Sequence, residues 1–380
     1  MRRIYIWGAG GMGQTVAKEF PLLEDESFVA YVDNNSSLLR DYPVIAPQEF
    51  ARRFHRDKDV LIIAVENFYF MGDIFFQLHD MGFSGKVLVI KPHDWNKRNK
   101  LNSVRGKCFW DGDIDAKAVI TKLEFHVCDQ CNLNCAGCTH FAPIYKDSFA
   151  SLEDFAADME RLSKDFFILR LRLMGGEPFL NPALPDFIET ARRHFPHSHL
   201  EIVTNGLLLP KMNAACLESI RKNEAFVQIS LYPPTFAMRN EISRTLEAYG
   251  IEYSFGSGLV QANEEGIIRE FHQCFTGVKG STGREAATRC LGSSCHYLRH
   301  GKISKCALPL LAHDVNAYFG KNLEVSQEDY VDIYDDSTGP WEKVRKLRQA
   351  IPFCDYCGDG TSTRFDWKCG GEVLFSDYLK

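Results

Sequence analysis

The chain contains no apolar run long enough to cross a bilayer, which excludes a helical membrane protein. Its opening residues, Met1-Arg2-Arg3-Ile4-Tyr5-Ile6-Trp7-Gly8, reach glycine before the apolar core of a signal peptide can form. A reducing cytoplasm and no membrane partner are therefore expected. No charge of one sign dominates: a net charge of −6 over 380 residues gives no reason to expect a nucleic-acid partner. Cysteine is nearly missing from the front, because 12 of the 13 follow residue 120. Thiolate chemistry is thus confined to the later part of the chain. Without a secretion signal, those cysteines read as metal ligands and not as a disulfide framework. The composition, 45% hydrophobic and 25% charged, excludes a disordered chain, and 380 residues exceed what one core fills. Two or three domains are expected.

Residues 1–95 alternate strand and helix patterns. Strands are predicted at Arg3–Trp7, Phe28–Val32, Val60–Val65 and Lys86–Ile90, with helices at Gln14–Phe20 and Phe68–Met81. This β-α-β series predicts a Rossmann-like parallel sheet. Gly8, Gly10 and Gly13 fit G-x-G-x-x-G directly after the first strand. Gly8 would permit the turn, Gly10 would admit a diphosphate at the helix N-terminus, and Gly13 would allow close helix–strand packing. Asp33, twenty residues past Gly13, is placed to accept a ribose hydroxyl. Only one mononucleotide half fits. The segment is similar to short Rossmann-like domains that precede sugar-modifying enzymes of surface-glycan pathways, which implies a nucleotide or nucleotide-sugar ligand. The alternative is a docking domain that keeps the glycines for folding. Residues 96–118, continuing the basic stretch Lys91–Lys100, read as a linker.

The densest cysteine run is Cys131-Asn132-Leu133-Asn134-Cys135-Ala136-Gly137-Cys138, a C-x3-C-x2-C spacing. A 4Fe–4S cluster usually takes four thiolates, so three packed this closely leave one iron open. The alternative is zinc, whose four ligands are usually set two and two, with Cys128 available as a fourth sulfur. Strands are predicted at Lys122–Val127, Ile168–Met174, Leu200–Val203 and Phe226–Leu231. Helices are predicted from Ser151 and at Leu184–Phe195, Lys211–Lys222 and Phe236–Tyr249. Repeated units of this kind predict a partial (β/α)6 barrel over residues 119–260, with its chemistry at the strand ends.

Those ends carry Gly175-Gly176-Glu177-Pro178, then Thr204-Asn205-Gly206, then Ser230. Together with the cysteine loop, the set resembles the radical S-adenosylmethionine (SAM) superfamily. The resemblance implies that Cys131, Cys135 and Cys138 hold a 4Fe–4S cluster whose open iron binds SAM. It makes Glu177 the acceptor for the SAM ammonium and the candidate catalytic residue, with Gly175, Gly176, Asn205 and Ser230 orienting SAM. It further implies a one-electron donor such as flavodoxin or ferredoxin, and reductive cleavage of SAM to a 5′-deoxyadenosyl radical that takes hydrogen from a substrate C–H. One departure stands out: Gly137 occupies the position where many members carry an aromatic near the adenine. Phe141 and Tyr145 are the candidates to replace it. His140 is read as a hydrogen-bonding neighbour of the cluster, and Cys128 as a buried thiol beside it.

From residue 261 to 380 the barrel pattern stops and cysteines return at 274, 290, 295, 306, 354, 357 and 369. Cys295-x5-Gly301-x4-Cys306 reads as a hairpin, Ser337–Ile351 as a helix, and Cys354-x2-Cys357 follows. Cys295, Cys306, Cys354 and Cys357 form the expected four-thiolate set, with Cys290 and Cys369 in reserve and Cys274 and Cys216 structural. The arrangement resembles the twitch or SPASM extension of radical SAM enzymes, which implies an auxiliary 4Fe–4S cluster; zinc suits four thiolates equally. The expected activity is oxidation, epimerisation or rearrangement of a carbohydrate or nucleotide-sugar. The alternatives are a peptide maturase and an iron–sulfur redox sensor.

Overall fold

A computed structural model describes residues 2–90, 109–256, 267–268, 270–290 and 295–380. The predicted basic stretch, most of the linker and residues 291–294 lie outside those residues. Two compact units divide the chain: Met1–Thr121 with Asp165–Leu169, and Lys122–Lys164 with Arg170–Lys380.

The first unit follows the predicted alternation. β1 (Arg2–Trp7) leads into α1 (Gly11–Glu19), then β2 (Glu26–Val32), β3 (Val44–Ile45), α2 (Pro47–Arg53), β4 (Asp59–Ile63), α3 (Phe68–Asp80), β5 (Ser84–Val89) and β6 (Trp110–Asp113). The sheet order is β3-β2-β1-β4-β5-β6, parallel except for β6, which closes the edge antiparallel to β5. Ile4, Ile6, Val16, Tyr31, Ile62 and Ile90 form one buried core across it. Asn67 starts α3 by accepting the Tyr69 N–H at 2.8 Å. The short β3–α2 excursion has too few residues to show a period and went unpredicted.

In the second unit, β7 (Ala118–Cys128) runs into the cysteine loop, followed by α4 (Leu152–Asp165), β8 (Phe166–Gly175), α5 (Leu184–His194) and β9 (His199–Thr204). Next come α6 (Ala214–Lys222), β10 (Phe226–Ile229), α7 (Pro233–Ala248) and β11 (Tyr253–Phe255). Ser151 caps α4 as its spacing predicts, its hydroxyl accepting the Asp154 N–H at 3.1 Å. The helix expected from Lys211 starts at Ala214 instead, because Asn213 accepts the Cys216 N–H and sets the cap there.

β12 (Glu270–Gln273), α8 (Gly283–Arg289), β13 (His296–Arg299), β14 (Lys302–Ser304), α9 (Leu308–Phe319), β15 (Tyr330–Asp332), α10 (Pro340–Arg348) and β16 (Thr363–Asp366) complete the chain. The large sheet has the order β11-β10-β9-β8-β7-β13-β14-β15. β8 to β11 run parallel to one another, and β13 runs parallel to β7. The predicted hairpin exists, with Gly301 in its turn at φ +70°, but it continues the barrel sheet rather than standing apart from it. Among the described residues, β12 pairs only with β16, antiparallel.

Candidate functional site

Strand alternation sorts the barrel's side chains onto two faces. Leu123, Phe125 and Val127 on β7, Leu171 and Leu173 on β8, and Leu200 and Ile202 on β9 are buried. Phe125 meets Phe155 of α4 and Phe187 of α5 at ring distances of 4.6 and 6.2 Å, so this face is covered by helices. The alternate positions carry Lys122, Glu124 and His126, Arg170 and Arg172, and Glu201. Arg172 joins Glu124 at 2.6 Å and Glu201 at 2.7 Å, while Arg170 donates to Glu201 at 3.0 Å. Burial pushes the enclosed Glu124 up, but the neighbouring Lys122 and Arg172 cations outweigh it and hold it down to about 2.

The cysteine loop sits at the end of β7. His126 shares a proton with Asp129 (2.9 Å) and with His140 (2.8 Å), and Asp129 also accepts from Ser148 (2.9 Å) and Arg299 (3.0 Å). His140 therefore hydrogen-bonds beside the loop, as expected; burial, with the His126 charge adding to it, lowers its pKa to about 3. Cys128 is fully buried and its thiol is turned toward the Gln130 carbonyl at 3.4 Å, consistent with a thiol beside the ligands.

Gly175 and Gly176 have a different neighbour from the expected one. A Cβ on Gly175, at φ +141°, would meet the Cys128 carbonyl oxygen at 1.8 Å, and one on Gly176 would meet that of Gln130 at 2.1 Å. The backbone they admit so closely is the chain's own: Gly176 N–H donates to Cys128 O at 2.8 Å and Glu177 N–H to Gln130 O at 2.9 Å. Glu177 is 0% exposed. Its carboxylate accepts from Phe179 N–H (3.2 Å), the Thr204 hydroxyl (2.7 Å) and Asn205 N–H (2.9 Å). Burial still pushes it up to about 7. Enclosed in this way, Glu177 ties the ends of β8 and β9 together.

Asn205 reaches the loop itself, its side-chain amide donating to Asn132 Oδ1 at 2.7 Å and lying 3.7 Å from Cys131 Sγ. Leu133 N–H donates to the same sulfur at 3.5 Å. Trp367 Nε1–H donates to Cys135 Sγ at 3.2 Å, and backbone N–H groups at 140–142 face Cys138. Such donors offset charge on thiolates. Without a metal, burial pushes the Cys131 thiol up to about 12 and raises Cys135 and Cys138 as well. Ser230 is half-buried at the end of β10, with no hydrogen bond from its hydroxyl to the described residues.

The aromatic candidates are corrected. Phe141 is 1% exposed and stacks on Tyr378 at 4.3 Å, and Tyr145 donates its hydroxyl to Asp314 at 2.7 Å, so both belong to packing. The rings beside the loop cysteines are Tyr232, Phe271, Phe365 and Trp367. Tyr232 stacks on Trp367 at 5.4 Å, and a Cβ on Gly137 would meet the Phe365 ring at 2.5 Å. These residues were missed because two of them come from the chain's last strand and the residues just after it, more than 220 positions away. The glycine at 137 was the one local signal that a ring must arrive from elsewhere.

The second cysteine group is drawn from several separate elements. Cys295 is buried and receives a hydrogen bond from Lys122 Nζ at 3.0 Å, which draws it into the barrel network. Burial raises the Cys306 thiol, and Cys290, Cys354 and Cys295 all lie near enough to raise it further. Cys274 hydrogen-bonds with both Cys290 and Cys357. Cys274 is thus tied to Cys290 and Cys357, while Cys290, Cys354 and Cys295 are the neighbours of Cys306. The buried Lys305, near Cys354, Cys290 and Cys306, supplies a cation to offset thiolate charge. Among the described residues, no three Cys, His, Asp or Glu side chains converge closely enough to hold a single metal ion. A cluster differs in placing each thiolate on its own iron.

In the first unit, a Cβ on Gly8 would meet Ala64 O at 2.5 Å and one on Gly13 would meet Gly8 O at 1.8 Å, whereas Gly10 faces open space. Asp33 turns inward, accepting Ala9 N–H at 2.9 Å and Asn35 N–H at 2.9 Å. Its first duty is to hold the glycine turn.

This geometry defines a thiolate loop clamped onto the strand ends of an α/β sheet. Residues 126–245 match the radical SAM superfamily, and this barrel segment is a radical SAM domain. Residues 3–69 match the PglD N-terminal domain. Curated relatives include a GTP 3′,8-cyclase of Helicobacter pylori, 29% identical over 153 residues, covering 37% of this chain and 45% of the relative. Another, from Desulforamulus reducens, is 28% identical over 120 residues, covering 31% of this chain and 37% of the relative. The chain thus spans less than half the length of these relatives. Solved structures that align include native anSMEcpe with bound AdoMet (TM-score 0.40, 12% identity, 63% of this chain and 83% of that one). BtrN in complex with AdoMet and 2-DOIA also aligns (TM-score 0.36, 14% identity, 65% and 94%). No helix among the described residues is long and apolar enough to cross a membrane.

Proposed function

We propose that this chain is a radical SAM enzyme acting on a carbohydrate-bearing small molecule, a nucleotide or nucleotide-sugar. The observation that carries the reading is the Asn205 bridge from the end of β9 to Asn132 and Cys131, which fixes the cysteine loop at the barrel's strand ends. Cys131, Cys135 and Cys138 would hold the 4Fe–4S cluster. Their donor-rich surroundings suit thiolates. When bound, cluster and SAM supply a 5′-deoxyadenosyl radical that takes a hydrogen atom from the substrate. Asn205 and Glu177 position the loop, Ser230 offers a hydroxyl to SAM, and Tyr232 and Trp367 offer apolar ring surface that excludes water. Cys290, Cys306, Cys354 and Cys357 would hold the auxiliary cluster.

Three features support the substrate class. The charged face formed by Glu124, Arg172 and Glu201 suits a polar substrate better than an apolar one. The curated relatives bear the name of a nucleotide cyclase. The front unit resembles a domain of the PglD type and leaves Gly10 open to a diphosphate. A one-electron donor of the flavodoxin or ferredoxin class completes the reaction.

The test is an anaerobic screen of nucleotide-sugars, GTP and peptides with SAM and dithionite, read by mass spectrometry. A modified nucleotide or nucleotide-sugar supports the reading, and a modified peptide alone would overturn it. In the front unit, Gly10→Val should abolish nucleotide-sugar binding by calorimetry without unfolding the domain. Unchanged binding would make the glycine turn a scaffold.

A further inference from the structure

After β16 the chain turns back along the cysteine loop. Ala136 N–H donates to Lys368 O at 3.0 Å, and Gly370 N–H donates to Asn134 O at 3.0 Å. Between these bonds Cys135 and Cys369 stand directly opposite each other in an antiparallel bridge. Flanking bonds of this kind make them a non-hydrogen-bonded pair, which brings the two Cα atoms to about 4.5 Å and both side chains to one face. A disulfide spans Cα separations of about 4.4–6.8 Å. Trp367 confirms the face: it lies two residues before Cys369, hence on the same side, and its indole N–H reaches Cys135 Sγ at 3.2 Å. Cys369 is exposed whereas Cys135 is buried, and Cys369 belongs to neither group of thiols assigned above.

We propose that Cys135 and Cys369 are a redox pair that closes into a disulfide when the Cys131–Cys138 loop holds no metal, withdrawing Cys135 until a thiol reductant returns it. The pairing stands on the bridge geometry; its consequence for iron loading rests on the cluster reading above. The oxidant is a small disulfide such as oxidised glutathione. The accessible Cys369 thiolate attacks one sulfur of the oxidant and releases one glutathione thiolate. The Cys135 thiolate then attacks Cys369 Sγ in the mixed disulfide and releases the second. Two protein thiols are oxidised, one glutathione disulfide is reduced to two thiols, and the two protons pass to the departing thiolates. The arrangement spares Cys135 from the irreversible steps of sulfur oxidation.

The test uses the full chain, stripped of iron, exposed to oxidised glutathione without oxygen, alkylated, digested and mapped by mass spectrometry. The expected product is a Cys135–Cys369 linked peptide, in about tenfold or greater excess over links from Cys135 to Cys131 or Cys138, because the pair is pre-aligned. In Cys369→Ser, Cys135 should carry glutathione instead. Reconstitution with iron and sulfide before oxidation should suppress the link about tenfold, since a ligated Cys135 is not free to react. Cys135 of the unsubstituted chain emerging as the glutathione adduct, or linked within its own loop, would overturn the pair. A Cys135–Cys369 link that forms equally fast after reconstitution, with no iron taken up, would leave the pair standing and remove the cluster reading.

Discussion

The two cysteine regions use the same side chain at very different ranges of sequence. In the first, three thiols lie within Cys131–Cys138, on one loop that β7 delivers and that Asn205, Leu133 and Trp367 furnish with N–H donors. In the second, the thiols are gathered from Cys274 to Cys357: the segment before α8, the end of α8, the end of β14 and the short turn Pro352–Cys357. Local spacing decides which sulfurs meet in the first case. In the second, tertiary packing decides: Cys295, which the spacing selects, accepts from Lys122 of β7, while Cys290 stands beside Cys274.

Removing thiols is the strongest way to break this comparison. Substituting Cys354 and Cys357 together with Ala should stop product formation while SAM cleavage remains measurable by chromatography of 5′-deoxyadenosine. Product formed by that variant would make the second region a scaffold. The next effect separates Cys290 from Cys295. A reconstituted chain with two 4Fe–4S clusters carries about eight irons. Cys290→Ala should lower this to about four by iron assay, with Cys295→Ala leaving it unchanged. The reverse result would restore the set read from spacing.

A smaller effect sharpens the account of the first region. The folded-state pKa of Glu177 is raised from 4.5 to about 7 by burial. Its stabilising contribution is therefore complete below about pH 4.5 and is lost as pH rises through about 7, because the folded state holds the proton that the unfolded state has released. Across that window the metal-free chain should lose roughly 3 kcal/mol that Glu177→Gln does not lose. Denaturant melts at pH 5 and pH 8 would show it, and parallel curves for the two proteins would contradict the assignment.

Most of the fold was legible because its signals are local. Apolar alternation located β1, β2, β4, β5 and β7 to β10 to within a few residues, and the Ser151 cap began α4 where expected, whereas the short β3, β6, β11 and β15 went unpredicted. The hairpin at Gly301 was legible, but its place beside β7 was not, since strand pairing across some 170 residues leaves no period to read. The glycines at 175 and 176 were recognised as sites of close approach. What approaches them, the Cys128–Gln130 backbone, is a tertiary fact. The same holds for Phe365 and Trp367, which complete the loop's surroundings from the far end of the chain.

The central claim is that the Cys131–Cys138 loop starts SAM radical chemistry. Its most direct test is anaerobic reconstitution with iron and sulfide, addition of dithionite and SAM, and measurement of 5′-deoxyadenosine beside a Cys131→Ala control. The account predicts turnover-dependent 5′-deoxyadenosine from the unsubstituted chain and none above background from the variant; equal background levels from both would contradict it.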